Sequence, residues 1–343
     1  MAFTGHAESG TSPTIASTDR QPAMGGLVAL ARNPIPSGAK AGTFKADDGV
    51  LLRYATWQPT RALRRGTVCV FPGLGEFIEK YFEVVADLRR RGFTVTVMDW
   101  RGQGGSARLL ADPGKAHVRD FSEYDRDIVR FMQDIVLPDC PPPYIALAHS
   151  MGANVLLRNA RLPGSWFERM LLICPMLELA AERVPVWPNV ARLGCQVACL
   201  AGLGRMTAAG EARLPWQLRP FEGNPLTSDP ERFARNRAVL DARPELMVDA
   251  PTFAWVRAAY HSMAWVGGPR YPAQVRVPLL VFAAGLDRVV SSPALEEFTA
   301  RLKSGSLVYL ANARHEILQE RDDLRQRFWA AFDAYVASQS VDY

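Results

Sequence analysis

Hydrophobic positions along the chain fall into short continuous runs that alternate with stretches of helical spacing. The runs at 67–71, 93–98, 144–148, 169–174, 277–283 and 306–310 are nearly all apolar and are bounded by Gly, Pro or charged residues. Each predicts a buried strand. Between them, residues 79–91, 122–136, 151–160, 293–302 and 319–338 repeat apolar side chains every three or four positions, which predicts helices. Gly92 stops the first of these, and Ser122 with Asp125 reads as a capping box for the second. Residues 42–46 and 50–57 flank Asp47-Asp48-Gly49 and predict a hairpin.

Strands alternating with helices imply a parallel sheet with right-handed crossovers and a ligand site at the carboxyl ends of its strands. Two segments break the rhythm. Residues 1–38 are rich in Ala, Ser, Thr, Gly and Pro and are expected to form a disordered N-terminal tail. Residues 178–270 contain helical stretches, Pro and Trp but no βα repeat, and are expected to be a helical cap inserted over the strand ends. The core is then 39–177 together with 271–343, an α/β domain with a mostly parallel central sheet and helices on both faces.

Composition narrows the class. The chain has 343 residues, 48% of them hydrophobic, which suits one large α/β domain carrying an insertion. No apolar run approaches the twenty or so residues of a membrane span. The first eight residues have neither a basic start nor an apolar stretch, so no secretory leader is expected. Five scattered cysteines (Cys69, Cys140, Cys174, Cys195, Cys199) have no metal-ligand spacing and read as buried thiols of a reducing compartment. The expected location is cytoplasmic, or peripheral to the inner face of a membrane. The net charge of +5 comes without any basic block interleaved with aromatics, so no nucleic-acid partner is expected. Weak attraction to an anionic membrane surface is compatible with it. No oligomeric state is specified.

The chemistry centres on Ala148-His149-Ser150-Met151-Gly152, between a buried run and a helix. A serine on such a strand–turn–helix junction is the nucleophile-elbow pattern, with Ala148 in place of the usual Gly. A serine hydroxyl needs a base, and the base needs an orienting carboxylate. His315 follows the last strand and Asp287 the penultimate one, both at the correct end of the sheet. Ser150, Asp287 and His315 thus stand in the Ser…Asp…His order of an α/β hydrolase. Backbone donors for an oxyanion are expected from Met151 N–H and from Leu74 N–H in Pro72-Gly73-Leu74-Gly75. Asp99 to Ser106 fits neither nucleotide fingerprint and reads as a structural turn bracing the elbow.

Several blocks together resemble the lysophospholipase and monoacylglycerol-lipase family of serine hydrolases. They are Phe71-Pro-Gly-Leu-Gly-Glu-Phe77 with Lys80-Tyr81, Asp99-Trp-Arg-Gly-Gln-Gly-Gly-Ser106, His149-Ser-Met-Gly152, Asn224-Pro-Leu-Thr-Ser-Asp229, Gly285-Leu-Asp287 and Arg314-His-Glu316. The resemblance spans about residues 43–337. It implies Ser150 as nucleophile, Asp287 and His315 as its partners, and Leu74 and Met151 as oxyanion donors. It also implies lysophospholipids or monoacylglycerols as substrates of an acyl-enzyme mechanism, without cofactor or metal. Pro72 departs from the family, which usually has His before the Gly. In the cap, Trp187, Leu193, Val197 and Leu200 are candidates to line an acyl-chain channel, against the alternative that this helical stripe packs on its neighbours. The competing functions are a short-chain carboxylesterase or a serine aminopeptidase on the same scaffold, the latter needing acidic residues such as Glu178, Glu182 or Glu211 to grip an amine. A non-catalytic binding protein of the same fold is the more distant alternative.

Overall fold

The computed structural model describes residues 26–181, 188–208 and 218–337. The chain opens with the hairpin β1 (Lys40–Lys45) and β2 (Leu51–Trp57) and continues into β3 (Thr67–Phe71), α1 (Phe82–Arg90) and β4 (Thr94–Met98). A two-residue strand β5 (Lys115–Ala116) precedes α2 (Ser122–Phe131), which runs through a π-turn into the short α3 (Leu137–Asp139). Then come β6 (Tyr144–His149), α4 (Ser150–Ala160) and β7 (Phe167–Ile173). The insertion holds α5 (Pro188–Leu200), α6 (Pro230–Ala242), the two-residue β8 (Ala250–Pro251) and α7 (Phe253–Val266). The sheet resumes with β9 (Leu279–Ala284), α8 (Ser292–Ala300) and β10 (Gly305–Leu310), and α9 (Asp322–Ala337) closes the described chain.

Eight strands form one sheet in the order β1-β2-β4-β3-β6-β7-β9-β10, in which β2 alone runs against its neighbours. β3, β4 and β9 are buried at every position, which is why they read as continuous apolar runs rather than alternating ones. The edge strand β1 is mostly exposed and β10 is exposed at half of its positions. The chain leaves β3 for β4 on one side and returns to β6 on the other. With right-handed crossovers this puts α1 and α2 on opposite faces and makes the end of β3 a topological switch point. α1 is tied to α9 by Arg91–Asp333 and Arg325–Asp87, and α2 to α4 by Arg158–Asp125.

The structure corrects two local expectations. Ser122 does not cap α2; it is already the first helical residue, and the Asp120 and Glu123 carboxylates accept the free N–H groups at that end. Residues 26–38, assigned by composition to a disordered tail, form a strap against the body. Val28 packs with Phe77, Val239, Leu240 and Leu246, and its N–H donates to Glu79. The Arg53 guanidinium donates to the Gly26 carbonyl, and the Trp57 indole N–H donates to that of Pro36. The strap covers a fully buried cluster in which Arg53 pairs with both Glu79 and Asp99. Only the core side knows that this cluster needs a cover.

The insertion is tied to the core at several places. Glu83 on α1 receives Arg232 and Arg235 from α6, and Arg325 from α9 lies 3.4 Å away. α7 lies against α4, where Ser262 Oγ donates to Asn154 Oδ1 at 2.6 Å, and it buries Trp255, whose indole N–H meets the Tyr124 hydroxyl. Burial pushes the Glu83 carboxyl up, but the bond from Arg232 and the charges of Arg325 and Arg235 dominate and hold it down at about 2, against an ordinary 4.5. A depressed carboxylate adds stability that is complete above about pH 4.5 and disappears as pH falls toward 2. Screening at this partly exposed site reduces the contribution to about 1–2 kcal/mol. Glu83→Gln is expected to cost about that much at neutral pH and to flatten the acid limb of stability, as measured by urea unfolding between pH 2 and 7.

Candidate functional site

The site is built where β6 turns into α4. Ser150 sits in the left-handed region at φ 51°, an uncommon conformation for a residue with a Cβ, so its side chain is lifted off the sheet at the start of the helix. The turn is allowed because Gly152 lies against the end of β3. A Cβ there would come within 2.4 Å of the Pro72 carbonyl oxygen and 2.6 Å of that of Phe71. Ala148 pairs with Phe71 on one side and Leu172 on the other, and is buried without displacing either strand.

The three residues anticipated from their positions after β6, β9 and β10 meet at this point. His315 Nε2 lies 3.0 Å from Ser150 Oγ, and His315 Nδ1 lies 2.8 Å from Asp287 Oδ2. The other Asp287 oxygen accepts the N–H groups of Val289 and Val290 at 2.8 and 3.0 Å. Burial raises the Asp287 carboxyl, but His315 and these two N–H groups outweigh it and keep the group below its ordinary range. Asp287 therefore stays ionised and acceptor-only, which orients the His315 ring with Nδ1–H toward it and the Nε2 lone pair toward Ser150. Cys174, itself at φ 43°, contributes a buried thiol beside Asp287. Cys174, Asp287 and His315 have donor atoms within 4.8 Å of one another, but the His315 and Asp287 atoms already satisfy each other.

The loop after β3 folds back beside the serine. A Cβ on Gly73 would lie 3.2 Å from Ser150 Cβ, so this backbone touches Ser150. Residues 73–76 close a turn through Glu76 N–H to the Gly73 carbonyl, with Gly75 at φ 71°, and Leu74 within it. Among the described residues no group accepts the Leu74 N–H. Met151 is the second residue of α4, and first-turn N–H groups have no partner within their own helix. Asp99–Ser106 braces this loop, as its pattern implied. Trp100 donates to the Pro72 carbonyl at 2.7 Å, Gln103 accepts the Gly75 N–H at 2.8 Å, and Asp99 accepts that of Ile78.

The cap residues stand differently. Trp187 lies outside the described residues. Leu193, Val197 and Leu200, candidates to line a channel or to pack on neighbours, are 64%, 56% and 78% exposed, and Val190 is 57% exposed. α5 packs on α7 through the face that buries Cys195, so this apolar stripe points to solvent. Glu178 is exposed, and Glu182 and Glu211 lie outside the described residues.

A buried charged group that the sequence pattern does not reveal lies beside Ser150 and His315. Glu76, Lys80, Tyr81, His149 and Glu316 interlock, with Lys80 Nζ 2.7 Å from Glu76 and 2.6 Å from Glu316. Glu76 and Lys80 are four apart, a spacing that in sequence reads as a solvated helix pair. Asn224-Pro-Leu-Thr-Ser-Asp229 also acquires a role. The Leu226 carbonyl accepts the Glu316 N–H, and Arg314 donates to the Asn224 and Thr227 carbonyls, which anchors the loop carrying His315 to the insertion.

The family described as serine aminopeptidase, S33, matches residues 62–322. Lysophospholipase L2 of Escherichia coli (strain K12) is 31% identical over 301 residues, covering 82% of this chain and 83% of that protein. Among solved structures, a soluble variant of monoglyceride lipase from Saccharomyces cerevisiae superposes with a TM-score of 0.71 at 18% identity, covering 88% of this chain and 97% of its own. A thermostable carboxyl esterase from Bacillus coagulans superposes with a TM-score of 0.68 at 19% identity, covering 88% and 98%. With the sheet order, the serine turn and the family match in agreement, the chain belongs to the S33 family of serine hydrolases with the α/β-hydrolase fold.

Proposed function

We propose that this ester-hydrolysing serine hydrolase cleaves single-chain lipid esters, lysophospholipids or monoacylglycerols, through an acyl-enzyme on Ser150. The observation that carries the chemistry is the line from Ser150 Oγ through His315 to Asp287, at 3.0 and 2.8 Å. His315 Nε2 takes the Ser150 proton as Oγ attacks the ester carbonyl. The Leu74 and Met151 N–H groups receive the oxyanion, His315 returns the proton to the leaving alkoxide, and water repeats the sequence to free the fatty acid. Every step is proton transfer and acyl transfer by the chain's own groups.

The lipid substrate is supported by two things. Relatives over most of the chain include a protein named lysophospholipase L2. The exposed stripe Val190, Leu193, Val197 and Leu200 continues into the exposed Leu203 and Met206, an apolar patch without cover among the described residues. We read it as the face that rests on a lipid aggregate, with the surplus positive charge favouring an anionic surface. No described helix is long and apolar enough to cross a membrane, so such contact would be peripheral. The aminopeptidase alternative, which the family's description carries, would need an acid to grip the substrate's amine; Glu178 lies exposed with its carbonyl accepting the Ser291 N–H, and Glu182 and Glu211 lie outside the described residues.

Ser150→Ala is expected to abolish labelling by a fluorophosphonate probe while leaving the unfolding curve nearly unchanged, and His315→Ala to lower kcat by about 10⁴-fold or more. Full labelling of the alanine variant would reject the nucleophile.

Each buried methylene of an acyl chain contributes roughly 0.8 kcal/mol, so kcat/KM is expected to rise about tenfold for every two carbons or so as p-nitrophenyl esters lengthen from acetate. A profile that peaks at acetate rejects the lipid reading and leaves a small-ester hydrolase. Lysophosphatidylcholine measured against monoolein separates the two head groups.

Leu193→Asp with Leu200→Asp is expected to slow hydrolysis of substrate held in anionic vesicles while sparing a monomeric short-chain ester. Equal rates on vesicles would remove the surface role of α5.

A further inference from the structure

His149, next to the nucleophile, has both ring nitrogens committed. Nδ1 lies 3.1 Å from Glu76 Oε2, and Nε2 lies 3.2 Å from the main-chain carbonyl oxygen of His315. A carbonyl oxygen only accepts. Glu76 also only accepts, because its carboxylate takes Lys80 Nζ on Oε1 and both the Tyr81 hydroxyl and the Gly73 N–H on Oε2. Each nitrogen of His149 therefore needs a proton, and a neutral imidazole has only one.

We propose that His149 is held as an imidazolium, and that it is the positioning residue that ties the loop of the oxyanion donor Leu74 to the loop of the base His315. The proposal rests on the acyl-transfer reading of this site. Charge balance agrees with the geometry. The groups facing His149 are Glu76, Lys80 and Tyr81 from the segment leading into α1, Glu316 and His315 from the loop after β10, and Ser150. Two carboxylates stand against one ammonium, so a neutral His149 would leave a buried surplus of negative charge in a cluster hidden from water. Burial alone would lower the affinity of His149 for its second proton, but Glu76 and then Glu316 outweigh it and raise it above the ordinary histidine value.

The consequence for the reaction follows from the partners. Glu76 Oε2 holds the Gly73 N–H, one residue before Leu74, and a Cβ on Gly73 would lie 2.9 Å from His149 Nδ1. The same ring holds the backbone of His315 itself. One charged side chain thus sets the separation of oxyanion donor and base. The raised proton affinity means that this tie is complete at and below the ordinary histidine range and is lost as pH rises through the raised value.

The test uses full-length wild-type protein labelled with 15N at histidine, with the His149 signals identified by their loss in His149→Gln. We expect both ring nitrogens of His149 to be protonated at neutral pH, above the ordinary histidine value of about 6.5. A single-proton tautomer at neutral pH overturns the proposal, and this readout needs no activity. On p-nitrophenyl butyrate, His149→Gln and Glu76→Gln are each expected to lower kcat about 100-fold with KM changed less than about twofold, since misplacement of catalytic groups acts on the transition state. An unchanged kcat in His149→Gln overturns it as well. Failure of Ser150→Ala to stop hydrolysis would reject the acyl-enzyme reading instead, whatever the state of the ring.

Discussion

The structure depends on one close approach, that of the first turn of α4 to the end of β3. Gly152 rests so near the carbonyl groups of Phe71 and Pro72 that no side chain fits between them. With helix and strand this close, Ser150 makes the junction in a left-handed backbone, at φ 51°. The loop leaving β3 lies beside Ser150. Ser150 and the loop after β3 are adjacent because β3 and β6 are neighbours in the sheet, while His315 and Asp287 arrive from β10 and β9 farther along the same edge.

Holding those loops in place falls to buried charges rather than to hydrophobic packing. Asp99 accepts backbone N–H groups from Ile78 and Gly105 while paired with Arg53. Glu76 accepts the Gly73 N–H, and Glu320 that of Arg314, just before His315. A buried ion pair is a poor source of net stability, because desolvating the charges offsets most of their attraction. What it supplies is direction. A carboxylate surrounded by several donors permits few arrangements of the loops that provide them, and catalytic geometry tolerates little displacement.

The insertion has two faces with different physics. Its inner side is polar and specific: α6 reaches Glu83 and Gln319, and residues 224–227 grip the loop of His315. Its outer side, the stripe along α5, is apolar and without partner among the described residues. The same segment therefore braces the loop of His315 on one side and leaves an apolar stripe open on the other.

The strands, the order Ser150, Asp287, His315 and the bracing role of residues 99–106 were legible in the chain because they rest on local signals. Fully buried strands demand continuous apolar runs, and a site at the carboxyl ends of parallel strands puts its chemistry just after each run. What could not be read depends on which surfaces meet. An amphipathic stripe does not state whether it faces a channel, a neighbour or water, so Leu193, Val197 and Leu200 read either as channel lining or as a packing face, and burial of the other side of α5 leaves them exposed instead. Residues 26–38 have the composition of a tail, and only the cluster of Arg53, Glu79 and Asp99 gives them something to cover. Glu76, Lys80 and His149 carry ordinary surface charges in sequence. Tertiary contact with Glu316, 240 residues beyond Glu76 along the chain, turns them into one buried unit, because a charge withdrawn from water must find its partners wherever the fold brings them.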